Sequence, residues 1–180
     1  MIIKQPENDA EIKEMWRLNH AVFAVELHQH EVQPDGFLVD KFHYKNIYRI
    51  AVDDQQQIAG MVCAHWEEPF SAVGHFGAPL AAKIIPDQTA EIRLFALRPD
   101  CRQTNLAIRL ASAITSELAR RNLKYLIISA VSSQKEFYEH LGLMVVGQPI
   151  CDGETTLFPM FGEIDKIIKD NIAYRRYCHE

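Results

Sequence analysis

The segment Ala90-Glu91-Ile92-Arg93-Leu94-Phe95-Ala96-Leu97-Arg98-Pro99-Asp100-Cys101-Arg102-Gln103-Thr104-Asn105-Leu106-Ala107 constrains this chain more than any other. Ala90 to Leu97 reads as a strand, Pro99-Asp100 stops it, and Thr104 or Asn105 opens a helix at once. Leu106, Leu110, Ala113, Ile114 and Leu118 lay one apolar stripe along that helix. Arg120 and Arg121 fall in its last turn, where positive charge suits the helix dipole. Leu123 to Ser129 follows as an apolar strand consistent with burial on both faces. The first N–H groups of the helix have no partner within it, and the dipole favours an anion there. A pyrophosphate would gain charge-assisted hydrogen bonds of roughly 1.5–3 kcal/mol each. Taken alone, the same residues also describe an ordinary strand–loop–helix unit with a surface arginine.

The rest of the chain supplies strands before this unit and a closing pair after it. Met1 to Lys4 reads as a short first strand, and Asn8 with Glu11 three residues on marks a helix start. Ile12, Met15, Trp16, Asn19, Val22, Phe23 and Glu26 continue at helical spacing to about Leu27. His28 to Asp35 is polar, Pro34-Asp35-Gly36 is a turn, and Phe37 to Lys45 is expected as a second short helix. Ile47 to Val52 and Ile58 to Trp66 form an antiparallel strand pair. Glu67 to Thr89, with its three prolines and two glycines, carries no readable pattern. Ser133 with Glu136 reads as a capping box, on a short helix that Gly142 ends. Met144 to Val146 and Thr156 to Met160 are expected as a last antiparallel pair, with a helix from about Glu163. This order predicts an α/β (α+β) domain: a twisted, mainly antiparallel sheet flanked by helices, with one parallel pair.

Composition narrows the function. The 180 residues suit one domain spanning 1–180, and 48% apolar residues suffice for a core. A formal charge of −5 argues against a general binder of nucleic acid or anionic membrane, but leaves room for one small phosphorylated ligand on a local basic loop. No apolar run reaches the ~20 residues that span a bilayer, and no signal peptide is expected, so the expectation is a cytoplasmic protein. Cys63, Cys101, Cys151 and Cys178 form no close metal-ligand pair, and no disulfide framework is expected. His28 and His30 lack a third ligand at familiar spacing, and His20, His43, His65, His75, His140 and His179 are scattered, so no metal is expected. Tyr174-Arg175-Arg176-Tyr177 is expected to belong to a frayed terminal helix.

Arg102-Gln103-Thr104-Asn105-Leu106-Ala107 resembles the phosphate loop of the GNAT superfamily of acyl-CoA-dependent N-acyltransferases, written Gln/Arg-x-x-Gly-x-Gly/Ala. Asn105 stands where glycine is usual, and asparagine adopts left-handed backbone angles more readily than most residues. Lys135-Glu136-Phe137-Tyr138-Glu139-His140-Leu141-Gly142-Leu143 is similar to the family's "FYxxLGF" segment, with leucine for the last aromatic. The resemblance implies that Arg102, Gln103, Thr104, Asn105, Leu106 and Ala107 hold the phosphates of acetyl-CoA or another acyl-CoA. It implies that the backbone of Ala96 and Leu97 pairs with pantetheine where the fourth and fifth strands splay, and polarises the thioester carbonyl. Val131 and Ser132 occupy the place of a family asparagine that bonds pantetheine, and Ser132 or Ser133 would substitute for it.

A protonated alkyl amine has a pKa near 10.4, so freeing its lone pair near pH 7 costs about 4.6 kcal/mol. A carboxylate that takes the proton lowers this barrier. Glu91 lies eleven residues before Arg102, where some GNAT acetyltransferases place a catalytic glutamate. A solvent-facing residue at a strand start is the equal alternative. Tyr138 resembles the tyrosine that protonates the departing thiolate, the alternative being a half-buried aromatic of a short helix. The acceptor is a small-molecule or protein amine, and an oligomer is compatible with the sequence.

Val22 to Leu27, Asp40 and Tyr48-Arg49-Ile50 are also similar to the N-terminal part of autoinducer synthases and N-acyl amino acid synthases. Those relatives use longer acyl chains, often from acyl carrier protein, and the likeness makes Phe23 and Glu26 substrate-binding candidates. Their Ser-Arg after the strand glutamate is replaced here by Ile92-Arg93-Leu94. A non-catalytic acyl-CoA-binding regulatory module is the reading from another class.

Overall fold

The computed structural model describes residues 1–153 and 155–177. Its centre is a single sheet of eight strands: β1 Ile2–Lys4, β2 Ile47–Val52, β3 Ile58–His65, β4 Thr89–Leu97, β5 Tyr125–Val131, β6 Met144–Val145, β7 Ile150–Asp152 and β8 Thr155–Glu163. The strand order is β1-β2-β3-β4-β5-β8-β6, with β7 also paired to β8. Only β4 and β5 run parallel, and the other pairs are antiparallel. The helices are α1 Asp9–Asn19, α2 Ser71–Phe76, α3 Ala78–Ala81, α4 Leu106–Arg120, α5 Lys135–His140, α6 Ile164–Asp170 and α7 Ile172–Tyr177. The expected mixed α/β class and single parallel pair are therefore present. Among the described residues no helix is long and apolar enough to cross a membrane.

Helix α4 is the inner support of the sheet. Leu106, Leu110, Ile114 and Leu118 are at most 1% exposed and pack on β2, β3 and β5 side chains such as Ala51, Val62 and Leu126. The close approach requires Gly60 on β3, because a Cβ there would stand 2.5 Å from Leu97 Cδ2 and 2.8 Å from Leu110 Cδ1. One buried ion pair ties α4 to β2: Arg49 donates to Glu117 Oε2 at 3.0 Å. Arg120 and Arg121 approach the same carboxylate, at 2.9 Å and 2.8 Å, so a single glutamate faces three guanidinium groups.

Several local expectations differ from the structure. The helix from Asn8 holds only to Asn19, with Asn8 Oδ1 accepting from the Glu11 N–H at 3.0 Å. From His20 to Glu26 it widens into a π-helical stretch, in which the Leu27 N–H reaches back five residues to the Val22 carbonyl. Phe37 to Lys45 is loop and turn rather than helix, held by Asn19 on the Leu38 carbonyl and by Asp35 on the Phe37 N–H. The capping box at Ser133 does not form: Ser132–Gln134 is a tight 3₁₀ turn, and α5 begins at Lys135 with no side-chain cap. The segment without a readable pattern contains α2 and α3, and β7 adds a strand between β6 and β8. Tyr174 is not frayed: it is 2% exposed, with its hydroxyl 3.0 Å from Thr115 Oγ1. Cys178 and His179 lie outside the described residues.

Removing one partner of a buried ion pair strands the other charge, at roughly 3–5 kcal/mol. Glu117→Gln should therefore lower the urea midpoint strongly, while the double variant Arg49→Met/Glu117→Leu should recover most of the loss. Equal loss in both variants would show that the pair does not carry this contact.

Candidate active site

The site begins where the sheet comes apart. β4 and β5 pair at Thr89–Tyr125, Ala90–Leu126 and Glu91–Ile127. Beyond Glu91 the strands run on to Leu97 and Val131 with no further pairing between them among the described residues. The cause lies on both sides. β5 stays with β8 over seven pairs, Tyr125–Glu163 to Val131–Leu157. β4 stays with β3 but carries a bulge: Met61 faces Ala96 and Cys63 faces Arg93, so Leu94 and Phe95 oppose Val62 alone. Leu94 takes a left-handed φ of 49° to make it. Such a bulge bends its strand and increases its twist.

The resulting cleft has two arms. The wide arm encloses about 450 Å³ between His30, Leu38, Asp40, Lys41, Ser71, His75, Glu91, Arg93, Ser129 and Asp152. The narrow arm holds about 60 Å³ between the strands themselves, lined by Phe23, Leu27, Ile92, Leu94, Phe95, Ile128, Val131 and Tyr138. Phe23, Ile92, Arg93, Leu94, Ser129 and Val131 border both.

Glu91 sits in the fork. It is 1% exposed, which removes the solvent-facing alternative. Its Oε2 accepts the Ser71 N–H at 2.8 Å and its Oε1 the Ala72 N–H at 2.7 Å, so the carboxylate caps the first turn of α2. Burial raises its pKa above the usual glutamate range, against the opposing pull of Arg93 and the two amides. Arg93 approaches Oε1 to 3.7 Å but gives its best bonds to Asp40, at 2.8 Å to Oδ1 and 3.2 Å to Oδ2. Burial would raise the Asp40 carboxyl as well, yet Arg93 and Asn46 outweigh it and hold it below the ordinary value. Asn46 donates to Asp40 at 2.6 Å and to the Tyr48 hydroxyl at 3.2 Å, and His43 Nδ1 lies 2.8 Å from that hydroxyl. His65 stands behind Glu91, wholly buried, with Nε2 3.3 Å from Oε2.

Tyr138 is 8% exposed and borders the narrow arm, its ring 6.5 Å from Phe95 and 5.3 Å from Phe137. Burial pushes its phenol pKa up, so the hydroxyl stays protonated. Ala96 and Leu97 lie in the stretch of β4 that has left β5, with Met61 and Gly60 on their other side. Ser132 is exposed in the turn that ends β5.

The loop Arg102 to Ala107 leads into α4 as expected, and Arg102, Gln103, Thr104 and Asn105 are exposed. Asn105 is not left-handed: its φ is −76°, and Nδ2 donates to the Tyr177 hydroxyl at 2.9 Å. Thr104 Oγ1 accepts the Leu106 N–H at 3.2 Å and donates to the Cys101 carbonyl at 2.7 Å, so the turn closes through a hydroxyl and not through a left-handed Asn105. Glu26 does not border the cleft as a substrate contact; both its oxygens lie 2.6 Å from the Arg102 guanidinium nitrogens, while Phe23 one turn earlier does reach the cleft. The structure thus brings Glu91, Tyr138 and Phe23 around one cleft, while Ala96 and Leu97 lie further along the stretch of β4 that has left β5, and Arg102 donates to the Leu97 carbonyl at 3.2 Å. The residues missed from sequence are Asp40, Asn46, His65 and Arg93. The one available signal was the register of β3 against β4, which sets His65 opposite Glu91.

The family model described as an acetyltransferase (GNAT) domain matches residues 39–163. The chain belongs to the GNAT family. This GNAT protein is an acyltransferase, and its fold recurs in solved relatives. BjaI, a CoA-dependent acyl-homoserine lactone synthase seen with SAM and isopentyl-CoA, superposes with a TM-score of 0.75 at 16% identity, over 94% of this chain and 92% of BjaI. TofI, in a ternary complex with an inhibitor and MTA, gives 0.76 at 16% identity over 97% of each chain. An aminoglycoside 6'-N-acetyltransferase complexed with coenzyme A gives 0.65 at 16% identity, over 91% of this chain and 97% of the other. No curated protein matches the sequence.

The Asp40–Arg93 pair sets an acid limit on stability. A carboxyl whose folded pKa is depressed stabilises above its unfolded value, here about 3.8, and that stabilisation fades as pH falls through the folded value. Asp40→Asn should therefore be less stable than the parent at pH 7 and pH 5, with the gap closing below pH ~4. Urea unfolding across that range checks it; a gap independent of pH would assign the loss to packing.

Proposed function

We propose that this GNAT protein is an N-acyltransferase that takes a short acyl group from acyl-coenzyme A and gives it to a primary amine held in the wide arm. The observation that carries the reading is Glu91, a buried carboxylate with a raised pKa at the fork of β4 and β5, bordering the wide arm. The acceptor ammonium loses a proton to Glu91, and the freed lone pair attacks the thioester carbonyl. N–H groups of β4 around Ala96 and Leu97, past its pairing with β5, receive the oxyanion. As the C–S bond breaks, the thiolate takes a proton from Tyr138, and the second N–H proton of the new amide is passed on to reset the phenol. The narrow arm, at about 60 Å³, has room for a short acyl group against Phe23, Leu27 and Phe95. The coenzyme's phosphates belong at Arg102 to Ala107, where the α4 N-terminus and Arg102 supply positive charge.

Free thiol released from acetyl-CoA, longer acyl-CoAs and acyl carrier protein, with a panel of amines, tests the reading. Acetyl-CoA or propionyl-CoA should be preferred, and Glu91→Gln should lower kcat by about 10²- to 10⁴-fold. Activity should rise with pH along a limb above the ordinary glutamate value of 4.5, since the base works only once deprotonated and burial has raised its pKa. Full activity of Glu91→Gln would overturn its role. Binding of acyl-CoA with no thiol release from any amine would favour the regulatory-module reading.

Glu26 competes with the phosphates for Arg102. The pair is 36% and 42% exposed, where an ion pair is worth at most about 1 kcal/mol. Glu26→Gln should therefore tighten CoA binding by no more than about fivefold, and Arg102→Gln should weaken it. Titration calorimetry decides; a weaker-binding Glu26→Gln would mean that the pair builds the loop.

One observation favours a second acceptor class. The TofI match over 97% of the chain necessarily takes in most of the residues before 39, which the family model leaves out, and Phe23 borders the cleft from that segment. On this reading the acceptor is the amine of S-adenosylmethionine and the acyl chain is longer. Acylation of S-adenosylmethionine in preference to simple amines would select it.

A further inference from the structure

The surroundings of Glu91 hold one polar atom that acyl transfer, as described, does not use: Nε2 of His65. The imidazole is 0% exposed, with Phe70 stacked on it at 5.6 Å and 14° and Phe42 edge-on at 5.1 Å. Nε2 has no hydrogen-bond partner, although Glu91 Oε2 is only 3.3 Å away. The other nitrogen, Nδ1, lies 3.1 Å from Asn46 Oδ1. Asn46 cannot be turned over, because its amide nitrogen faces Asp40 Oδ2 at 2.6 Å, and an oxygen placed there would meet a carboxylate. Its Oδ1 therefore faces His65, and Nδ1 must carry the hydrogen. The neutral ring then presents a bare lone pair to the Glu91 carboxylate. Two lone pairs at this distance repel unless a proton lies between them.

We propose that Glu91 and His65 hold one proton in common, and that His65 is a positioning residue that stores the acceptor's proton through Glu91. The mechanistic half of this rests on the acyl-transfer reading. Above the midpoint of the pair its shared proton has left to solvent; the N–H bond of the ammonium then breaks, its proton moves to the ionised Glu91, and the pair again holds one proton between Oε2 and Nε2 while the nitrogen lone pair attacks. The stored proton leaves to solvent through the wide arm after the thiol departs. Burial pushes His65 down to about 4 and raises Glu91, so both groups favour the uncharged form, and a neutral O–H···N pair avoids an ion pair in a dry site. The charged and titratable groups around the pair are Lys45, Arg93, Asp40 and Cys63, and the Pro69 carbonyl also faces the imidazole and pulls its proton affinity up against burial. Lys45 rests on the Glu67 and Pro69 carbonyls and Arg93 on Asp40, so neither cation is a direct partner of His65. The two groups titrate as a unit.

Nitrogen NMR of the full-length protein with ¹⁵N-labelled histidine, without substrate, tests the pair directly. His65 Nδ1 should stay protonated, and Nε2 should shift with pH at the midpoint of the Glu91 carboxyl. Glu91→Gln should abolish that transition. A bare Nδ1, or a transition untouched by Glu91→Gln, overturns the proposal whether or not the protein turns over any amine. The second test is His65→Gln, whose amide can donate to Glu91 but cannot store a proton. With an accepted amine, its kcat should fall about tenfold with the acceptor KM nearly unchanged. The acid limb of kcat/KM should move down by roughly one pH unit, because a donor alone favours the carboxylate. An unmoved limb would leave His65 a packing residue. Absence of turnover in the parent protein would instead count against the acyl-transfer reading, with the NMR result still deciding the shared proton.

Discussion

Three residue pairs hold β4 to β5, and the cleft depends on there being no more. A sheet opened at its middle exposes N–H and C=O groups on two strands at once. Buried and unmet, each would cost about 1–3 kcal/mol. The protein supports the gap by anchoring each strand elsewhere, β5 to β8 over seven pairs and β4 to β3 through the bulge at Leu94 and Phe95. The strand edges beyond Glu91 then border a cleft that an extended ligand with its own amides can enter as a further strand would. Pantetheine, with two amides along a thin chain, has that chemistry.

Glu91 is placed by the same fork, and its environment pulls in two directions. The Ser71 and Ala72 amides stabilise the carboxylate, whereas its burial destabilises it. Burial wins, because Arg93 is committed to Asp40 and Lys45 rests on the Glu67 and Pro69 carbonyls. The Asp40–Arg93 pair thus does more than join a loop to β4. By occupying the guanidinium it leaves burial to hold the Glu91 carboxyl above the ordinary glutamate range.

What the sequence makes legible follows from how local each interaction is. The unit from Ala90 to Leu118 is readable because its strand, stop and apolar stripe are set by neighbours within a few residues. Helix α2 is not, because its cap is remote: Phe70 stands at the N-cap position and offers nothing, and the bonds come from Glu91 some twenty residues on. Ser133 and Glu136 mislead for the opposite reason. The spacing is right, but β5 ends in a tight turn at Ser132–Gln134 that moves the helix start to Lys135. Within the site, Glu91 and Tyr138 stand on motif residues, while Asp40, Asn46, His65 and Arg93 meet only through tertiary contacts between a loop and two strands. Charged and aromatic residues spread over fifty positions carry no period from which to infer a cluster.

The N-terminal helix shows how a small change of geometry can serve two ends of one cleft. An α-helix continued through Glu26 would advance each side chain by the ordinary angle and keep one face inward. The π-helical widening from His20 to Glu26 inserts extra residues per turn, and such insertions concentrate at functional sites. Here Phe23 reaches the cleft between β4 and β5, and Glu26, three residues later, reaches Arg102 on the loop before α4. The turn is stable because its wide hydrogen bonds close on themselves, Leu27 to Val22 and Gln29 to Phe23, and because buried His20 accepts the Gln33 N–H at 2.9 Å, tying the following loop to the helix. One short segment therefore walls the narrow arm through Phe23 and pairs with Arg102 through Glu26, at a spacing the π-turn sets.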